Sequence, residues 1–423
     1  MGLLLLWIAF CPRAAWPERI FFAGYKGGFY IRSEEEGGMA LRLGGAFQAD
    51  YRHYLEHERA DNRFDIRRAR LRFNGDLTRW VRYGLEYEFQ GNETSNLVDA
   101  YAELGKVPAS LRMGQFKEPF SLEWQTRDKG LYFAERSFAY SLGPGRDIGL
   151  MLHGTVWDGR CTYALGAFNG DGPDGSTRGT ESDAPEAAAR LVLVPFKAGG
   201  PAWLQNLQVG AAGTYGAIDT ANISLSVKST GMYGSSRSLY RLSHDTKFGV
   251  LQDVDNRWRL GLEAFWSYGP VAVAGEAVHL RFTGLKPAGE PARDADFRAG
   301  YLSAMWALTG ETFILSRGAP QPLYPYRFFD PEAGTWGAFV LAARVDHFEG
   351  DEDWITPGAH VSVRRADTYS LAINWLLFPM VRVVLDLSHT DMSDRVRVRV
   401  RPDGTVDYVD EENVATLRMS LDF

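Results

Sequence analysis

Three arginines two residues apart, Arg68, Arg70 and Arg72, are the residues in this chain best suited to handling oxyanions. Residues two apart on a β-strand point to the same face, so these guanidinium groups would form a ladder along one side of a strand. A guanidinium fork matches the oxygens of phosphate, and a ladder lets an anion move between favourable positions. The pattern is equally compatible with a wall whose charges are balanced by Glu86, Glu88 and Asp99.

A second group of cations lies in a long polar connection within residues 111–146, between two alternating segments. Connections of this length inside a compact domain are usually functional. The connection also carries aromatic residues that favour burial, which predicts a loop packed inside a wide barrel. The anion-contacting candidates here are Lys117, Arg127, Lys129 and Arg136, with Asp99 as a further pore residue; Glu118, Glu123, Asp128 and Glu135 are equally able to neutralise them.

Catalytic and metal-binding patterns are poor in this sequence. The eight histidines are scattered without metal-ligand spacing, and neither Gly-x-Ser-x-Gly nor His-Glu-x-x-His occurs. The acceptor-rich run 171–175 resembles a calcium loop but is more often a solvated turn. We therefore expect no enzyme activity, no metal site and no cofactor.

Apolar and polar residues alternate with a period of two along most of the chain. This pattern is typical of strands with one apolar face and one polar, water-exposed face. In Phe64 to Leu77, for example, apolar residues alternate with the arginine ladder, and Arg67, of opposite parity, is expected at the rim. We count about sixteen strands of roughly ten residues each. The residues expected to face lipid are Leu71, Phe73, Leu85, Tyr87, Leu371, Ile373, Val383 and Leu385.

The connections alternate between short turns, such as Thr78–Arg79, Asp158–Gly159 and Gly269–Pro270, and long loops. Long loops are predicted near residues 117, 169, 217, 284, 349 and 391. The fold class predicted is therefore all-β, a transmembrane antiparallel β-barrel with an inward-folded third extracellular loop. Residues 309–335 are long although they fall on the short-turn side, and the pattern gives no reason for this.

Composition agrees with a barrel. Of 423 residues, 45 are glycine and 13% are aromatic, which suits many strands with tight turns and aromatic girdles. No apolar run of about 18 residues follows the first few positions, which excludes transmembrane helices. The net charge of -7 argues against nucleic-acid binding, so any preference for anions must be local.

The chain divides into three parts. Residues 1–15 form a possible truncated signal segment that lacks a positively charged start, 16–39 form a lead-in, and 40–423 form the barrel. The last strand alternates up to Phe423, and a terminal aromatic of this kind looks like the recognition signal for the barrel-assembly machinery.

The segment GQFKEPFSLE (114–123), followed by ERS (135–137) and P-x-R-x-x-G (144–149), resembles the phosphate-selective porin O/P family of Gram-negative outer membranes. The RRARL-type strand at 67–71 and Leu308-Thr309-Gly310-Glu311 extend the similarity. The resemblance implies that this segment is the constriction loop, on which a basic residue, Arg127 or Lys129, helps to bind phosphate.

The resemblance further implies a passive, homotrimeric porin without a cofactor, in which each barrel is its own channel. It would lie in the outer membrane, in contact with lipid and lipopolysaccharide, and pass small anions such as phosphate. Two alternatives remain: a general, weakly selective pore, and a barrel that serves as scaffold or receptor for a partner protein.

Overall fold

A computed structural model describes residues 20–25, 28–35, 37–55, 62–90, 96–170, 185–218, 223–233, 237–401 and 403–423. The predicted signal segment and the acceptor-rich run 171–175 lie outside the described residues. Sixteen antiparallel strands form one closed barrel, as predicted. They are β1 (Ala40–Tyr54), β2 (Arg63–Asp76), β3 (Val81–Glu88), β4 (Leu97–Lys106), β5 (Ala109–Lys117), β6 (Arg146–Val156), β7 (Cys161–Phe168), β8 (Glu186–Leu193), β9 (Gln208–Ala217), β10 (Asn256–Tyr268), β11 (Val271–Pro287), β12 (Arg293–Ala307), β13 (Ala338–Glu349), β14 (Arg365–Phe378), β15 (Val381–Val400) and β16 (Val406–Asp422).

The barrel closes where β16 pairs with β1, from Val414 opposite Tyr54 to Asp422 opposite Ala46. Phe423 extends this seam, because it exchanges backbone hydrogen bonds of 2.9 and 3.1 Å with Gly45. The first residues of β1, on the periplasmic side of Phe423, pair with the short strand Phe29–Ser33. That strand in turn forms a hairpin with Phe21–Tyr25. The lead-in thus continues the barrel wall beyond the last strand.

Successive side chains point alternately to the outside and into the lumen, because a strand has a side-chain period of two. Leu385 is 40% exposed on the outer surface, whereas its neighbour Asp386 is 1% exposed inside the barrel. Of the residues predicted to face lipid, five are exposed and three are half-buried, which confirms the assigned face.

Two loops that were predicted to be long are instead continued strands. β15 and β16 remain paired beyond the membrane, and only 401–405 join them. The prediction of a long loop at Asp391 was wrong because a register shift between Asp391 and Val396 interrupts the alternation there. In the same way, β11 and β12 extend through much of the loop predicted near Gly284.

The third long connection, 118–145, carries two short helices, α1 (Leu122–Gln125) and α2 (Phe138–Leu142), and a 3-10 turn at Asp128–Gly130. The hydroxyl of Ser121 caps α1 by accepting a 3.1 Å hydrogen bond from the Trp124 N–H. We call residues 118–145 the constriction loop.

The described part of 218–255 also folds inward. It contains the short strands Ser224–Val227, Tyr240–Ser243, Asp245–Thr246 and Gly249–Asp253 and a 3-10 turn at Thr230–Met232. Its apolar residues pack with Phe120, Phe138 and Leu142 of the constriction loop and with inward residues of β11 to β13. This apolar cluster fills one side of the extracellular mouth.

The long connection at 308–337 returns into the barrel from the short-turn end. Its pairs Leu315–Ser316 with Ala319–Pro320, and Phe329–Asp330 with Thr335–Trp336, form two small hairpins. Phe313 packs edge-on against Tyr132 of the constriction loop, with ring centroids 5.6 Å apart. The part of this connection that contains Phe313 therefore narrows the lumen, whereas Phe329 and Trp336 of the second hairpin pack beside the outward residue Trp375. We call 308–337 the periplasmic turn.

Three further 3-10 turns lie at Trp157–Gly159, Ala202–Leu204 and Glu352–Trp354. Among the described residues, no helix has both the length and the apolar character needed to cross a membrane.

Candidate functional site

A cavity of about 910 Å³ runs along the wall formed by β1 to β5, on the periplasmic side of the constriction loop. Every pore residue predicted from the sequence lines it: Arg68, Arg70, Arg72, Asp99, Lys117, Arg127, Lys129 and Arg136. Arg32, Arg42 and Arg146 add to these, so that ten cationic side chains and four carboxylates border the cavity. The local charge is thus opposite in sign to that of the whole chain.

The arginine ladder is present on β2, and it is partly neutralised by carboxylates. Arg70 Nε lies 2.7 Å from Glu88, and Arg72 contacts both carboxylate oxygens of Glu86 at 2.9 and 3.1 Å. Both interpretations of the sequence therefore hold in part: the three arginines form one row, and two of them have partners on the adjacent β3.

Asp128 of the constriction loop faces this row. Its carboxylate lies 2.7 Å from Arg136, 3.3 Å from Arg70 and 3.5 Å from Arg68. Burial alone would raise the pKa of Asp128, but Arg68, Arg136 and Arg70 hold that pKa well below its usual range. Asp128 is therefore ionised and ties the loop to the ladder.

Two cations of the constriction loop remain available to a solute. Arg127 is exposed to the lumen, and its side chain has no hydrogen-bond or ion-pair partner among the described residues. Lys129 makes a cation–π contact with Tyr324 of the periplasmic turn, at 5.7 Å from the ring centroid. Lys117, in contrast, donates a 2.6 Å hydrogen bond to the Trp124 carbonyl.

Asp99 pairs with Arg146 at 2.8 Å. It therefore neutralises a cation at the cavity wall. Asp99 thus lines the cavity as one half of an ion pair.

The constriction loop is held across the lumen by carboxylates that the sequence did not single out. Glu276 on β11 accepts hydrogen bonds from the N–H groups of Leu122 and Glu123 at 2.9 and 2.6 Å. Asp386 on β15 and Asp346 on β13 accept from Ala134 and Phe138 at 2.6 and 2.9 Å. Their inward parity was visible in the alternation, but their loop partners lie more than 150 residues away in sequence.

The position of Arg67 differs from the sequence-based expectation that this residue lies at the rim. A register shift in β2 lets consecutive arginines, Arg67 and Arg68, both point into the lumen. Arg67 contacts the carboxylate of Glu135 at 2.9 and 3.0 Å instead of lying at the rim. Arg52 and Arg418 approach the same carboxylate at 2.5 and 3.0 Å. The three arginines overcome the effect of burial and hold the pKa of Glu135 well below its usual range.

The periplasmic turn borders a second cavity of about 250 Å³, which shares Asp99, Tyr101 and Lys117 with the first. The Gly318 carbonyl accepts hydrogen bonds from Arg190 at 2.9 Å and Gln208 at 3.3 Å, which fixes the tip of the turn. Arg317 at that tip lines the cavity. Sequence reasoning missed Arg317 because the turn had no assigned position.

One group of potential metal ligands occurs among the described residues: His389, Asp391 and Glu411, with ligand atoms within 4.8 Å of one another. These residues lie on β15 and β16 near the extracellular end of the barrel, away from the cavities of the channel.

A closed barrel of sixteen antiparallel strands, with a charged lumen narrowed by an inward-folded loop, defines an outer-membrane porin. The chain belongs to the family of phosphate-selective porins O and P, which it matches over residues 41–423. It is a channel protein of the outer membrane of a Gram-negative bacterium.

Several solved structures share this fold. The outer-membrane channel DcaP of Acinetobacter baumannii aligns with a TM-score of 0.56 at 11% identity, covering 95% of this chain and 100% of that one. The anion-selective porin from Comamonas acidovorans gives 0.55 at 11% identity, over 91% and 100% of the two chains. OmpT of Vibrio cholerae, in its trimer form, gives 0.53 at 9% identity, over 91% and 100%. No curated protein matches the chain.

Proposed function

We propose that this porin passes small anions, phosphate among them, by passive diffusion without a cofactor. The observation that carries the proposal is the excess of cations around the 910 Å³ cavity, which includes Arg127, whose side chain has no ion-pair partner in the described part of the chain. Low-dielectric walls focus the field of such charges, so a few of them outweigh the negative charge spread over the rest of the chain. The porin from Comamonas acidovorans that shares the fold is anion-selective, which supports a preference for anions in this porin as well.

The geometry suggests how an oxyanion would pass. Arg127 and Lys129 present it with donors on one side, and the ladder of Arg68, Arg70 and Arg72 continues along the opposite wall. Because Asp128, Glu86 and Glu88 already share the ladder, no position holds an anion so tightly that it cannot leave. Weak binding at several positions is what conduction requires.

The test is a planar-bilayer recording of the purified protein. In a potassium chloride gradient, the reversal potential should show a preference for chloride, and added phosphate should reduce the chloride current. A reversal potential near zero would support a general pore, and a cation preference would overturn the proposal. Absence of step-like conductance would support the scaffold or receptor alternative.

We infer further partners from the family and from the outer surface of the barrel. The family resemblance and the trimer form of OmpT support a homotrimer, and the exposed apolar band supports contact with outer-membrane lipid and lipopolysaccharide. Phe423 closes the seam with Gly45 and is the expected signal for the barrel-assembly machinery. Deleting Phe423 should leave the barrel unassembled in the periplasm; normal surface levels and unchanged heat-modifiable migration on gels would count against that role.

A further inference from the structure

The outer surface of the barrel carries a groove of about 670 Å³ on β10 to β14. The groove is recessed because the outward residues at its base are small: Ala277 on β11 and its paired neighbour Gly300 on β12. Larger apolar side chains, Leu260, Leu262, Leu302 and Val345, border the floor and are all exposed. The result is an apolar trough on the membrane-facing side of the barrel.

One end of the groove is polar. Arg298, His279 and His347 line it. His279 and Arg298 are paired two residues beyond Ala277 and Gly300, and His347 lies directly opposite Gly300 on β13. Arg298 is 66% exposed and has only a distant partner, Glu349 at 3.9 Å. An exposed pair at that distance contributes little, so the guanidinium is available to another anion.

The carboxylates around this end are engaged elsewhere. Asp296 lies 2.8 Å from His279 and 3.5 Å from Arg281, and Asp367 lies 2.6 Å from His347 and 3.3 Å from Arg365. Each carboxylate therefore has both a histidine and an arginine as partners. Arg298 is left as the cation of the polar end with the weakest internal compensation.

The polar end lies at the extracellular boundary of the membrane. The short turn Gly269–Pro270 marks the periplasmic end of β11, and His279 is eight residues beyond Val271, where that strand begins. With about 3.3 Å per residue and a usual strand tilt, this places His279 roughly 20 Å higher, near the top of an apolar band about 25 Å tall. The ring of Trp258 packs against that of His279, with ring centroids 4.8 Å apart. Tryptophan is enriched at membrane–water interfaces, which agrees with this position.

From these observations we propose that the groove is a binding site for one phosphorylated glycolipid of the outer leaflet, the lipid A portion of lipopolysaccharide. An acyl chain lies in the trough over Ala277 and Gly300, and a phosphate contacts the guanidinium of Arg298. An apolar trough that ends in an exposed arginine matches the acyl chain and the phosphate of this lipid together.

The experiment measures binding of lipid A carrying both phosphates to the purified protein in detergent, by native mass spectrometry. Arg298→Gln removes the phosphate contact, and Ala277→Leu fills the trough from an exposed position. Arg298→Gln should weaken binding about tenfold, the effect of losing roughly one charge-assisted contact. Ala277→Leu should also weaken binding about tenfold, because the added side chain occupies space that the acyl chain needs. Heat-modifiable migration on gels verifies that the variants are folded.

Two matched controls isolate the site. Arg395→Gln removes an arginine that is 69% exposed and 3.7 Å from its carboxylate partner, on the outward side of β15 away from the groove. Ala304→Leu adds the same volume to the outward face of β12 without lining the groove. Both controls should bind lipid A within about twofold of the wild type.

Several results would overturn the proposal. Lipid A without phosphates should bind more weakly, so equal affinity would mean that the groove holds any acyl chain. Displacement of the lipid by inorganic phosphate would indicate a simple anion site. If Ala277→Leu changes the oligomeric mass and leaves lipid binding intact, the groove is a contact between copies of this chain.

Discussion

Arg67 and Glu135 join the barrel wall to the constriction loop through two contacts, Nε to Oε1 at 2.9 Å and Nη2 to Oε2 at 3.0 Å. Such a fork fixes orientation as well as distance. Glu135 is 4% exposed, so the pair is shielded from solvent. The width of the passage therefore depends on a residue of the loop and a residue of β2 that lie far apart in the sequence.

Replacing Arg67 with alanine should loosen the loop. We expect a loss of about 3 kcal/mol in the free energy of unfolding, because a buried carboxylate loses one of its partners. Open-channel current noise should also rise in planar-bilayer recordings. Arg42→Ala is the control. Arg42 lies 3.5 Å from the Asp76 carboxylate and its side chain is 56% exposed. Exposed ion pairs of this kind contribute about 0–1 kcal/mol. Equal losses in the two variants would contradict this role.

Asp128→Asn should show the effect of an ionised carboxylate among arginines. The pKa of Asp128 is depressed in the folded protein, so its stabilising contribution is present above its ordinary pKa of 3.8 and is lost as pH falls through the folded value. The difference in urea midpoint between wild type and variant should therefore be large at pH 7 and shrink below pH 3.8. The variant also removes one negative charge that Arg68, Arg70 and Arg136 share, so its reversal potential should move further toward anion preference.

Glu118→Gln should act in the opposite direction. Burial, and next the nearby carboxylate of Glu186, raise the pKa of Glu118 well above its ordinary value of 4.5, although Arg259 opposes them. The contribution of protonated Glu118 to the free energy of unfolding is therefore fully present below pH 4.5, and it decreases as the pH rises above 4.5. The glutamine variant should be more stable than the wild type at pH 7 and equal to it at pH 4. A less stable variant at pH 7 would show that the carboxylate is ionised and paired.

Arg127→Ala and Lys129→Ala should each weaken the block by phosphate about tenfold, with a smaller change in chloride conductance. Both residues face the cavity and lack a close carboxylate partner. Arg70→Ala should also lower anion selectivity, because it leaves Glu88 and Asp128 less compensated. The control is Arg160→Ala, in an exposed periplasmic turn; a comparable loss there would mean that the effect is not local.

Leu385→Arg should cost about 2–4 kcal/mol, because the side chain faces lipid. Asp386→Asn is the proper comparison, since an amide still offers an acceptor to the Ala134 N–H and changes little. Asp386→Ala, in contrast, should destabilise the loop as well. Unfolding in urea with a fixed detergent compares the three variants, and a larger cost for Asp386→Asn than for Leu385→Arg would reverse the assigned faces.

The strands were predictable because alternation is a local signal. Leu385 and Asp386 could be assigned to opposite faces from their neighbours alone, and the short turns marked one end of the barrel. The candidate cations were found for the same reason, since the ladder and the constriction loop are each continuous in sequence.

The remaining features depend on contacts that local patterns do not encode. Arg67 was misplaced because a register shift inserts one residue into β2 and reverses its expected direction. The extended β15–β16 hairpin was missed because its alternation is broken near Asp391. The inward course of 308–337 depends on Gly318, whose partners Arg190 and Gln208 lie more than 100 residues earlier.

The cation-rich cavity lies on the periplasmic side of the constriction loop, whereas an apolar cluster occupies part of the mouth on the other side. Fixed charge is thus distributed unevenly along the direction of flow. A voltage of one sign concentrates anions in the cavity and a voltage of the other sign depletes them, so currents of opposite direction differ in size. We therefore expect a population of barrels inserted in one orientation to rectify ionic current.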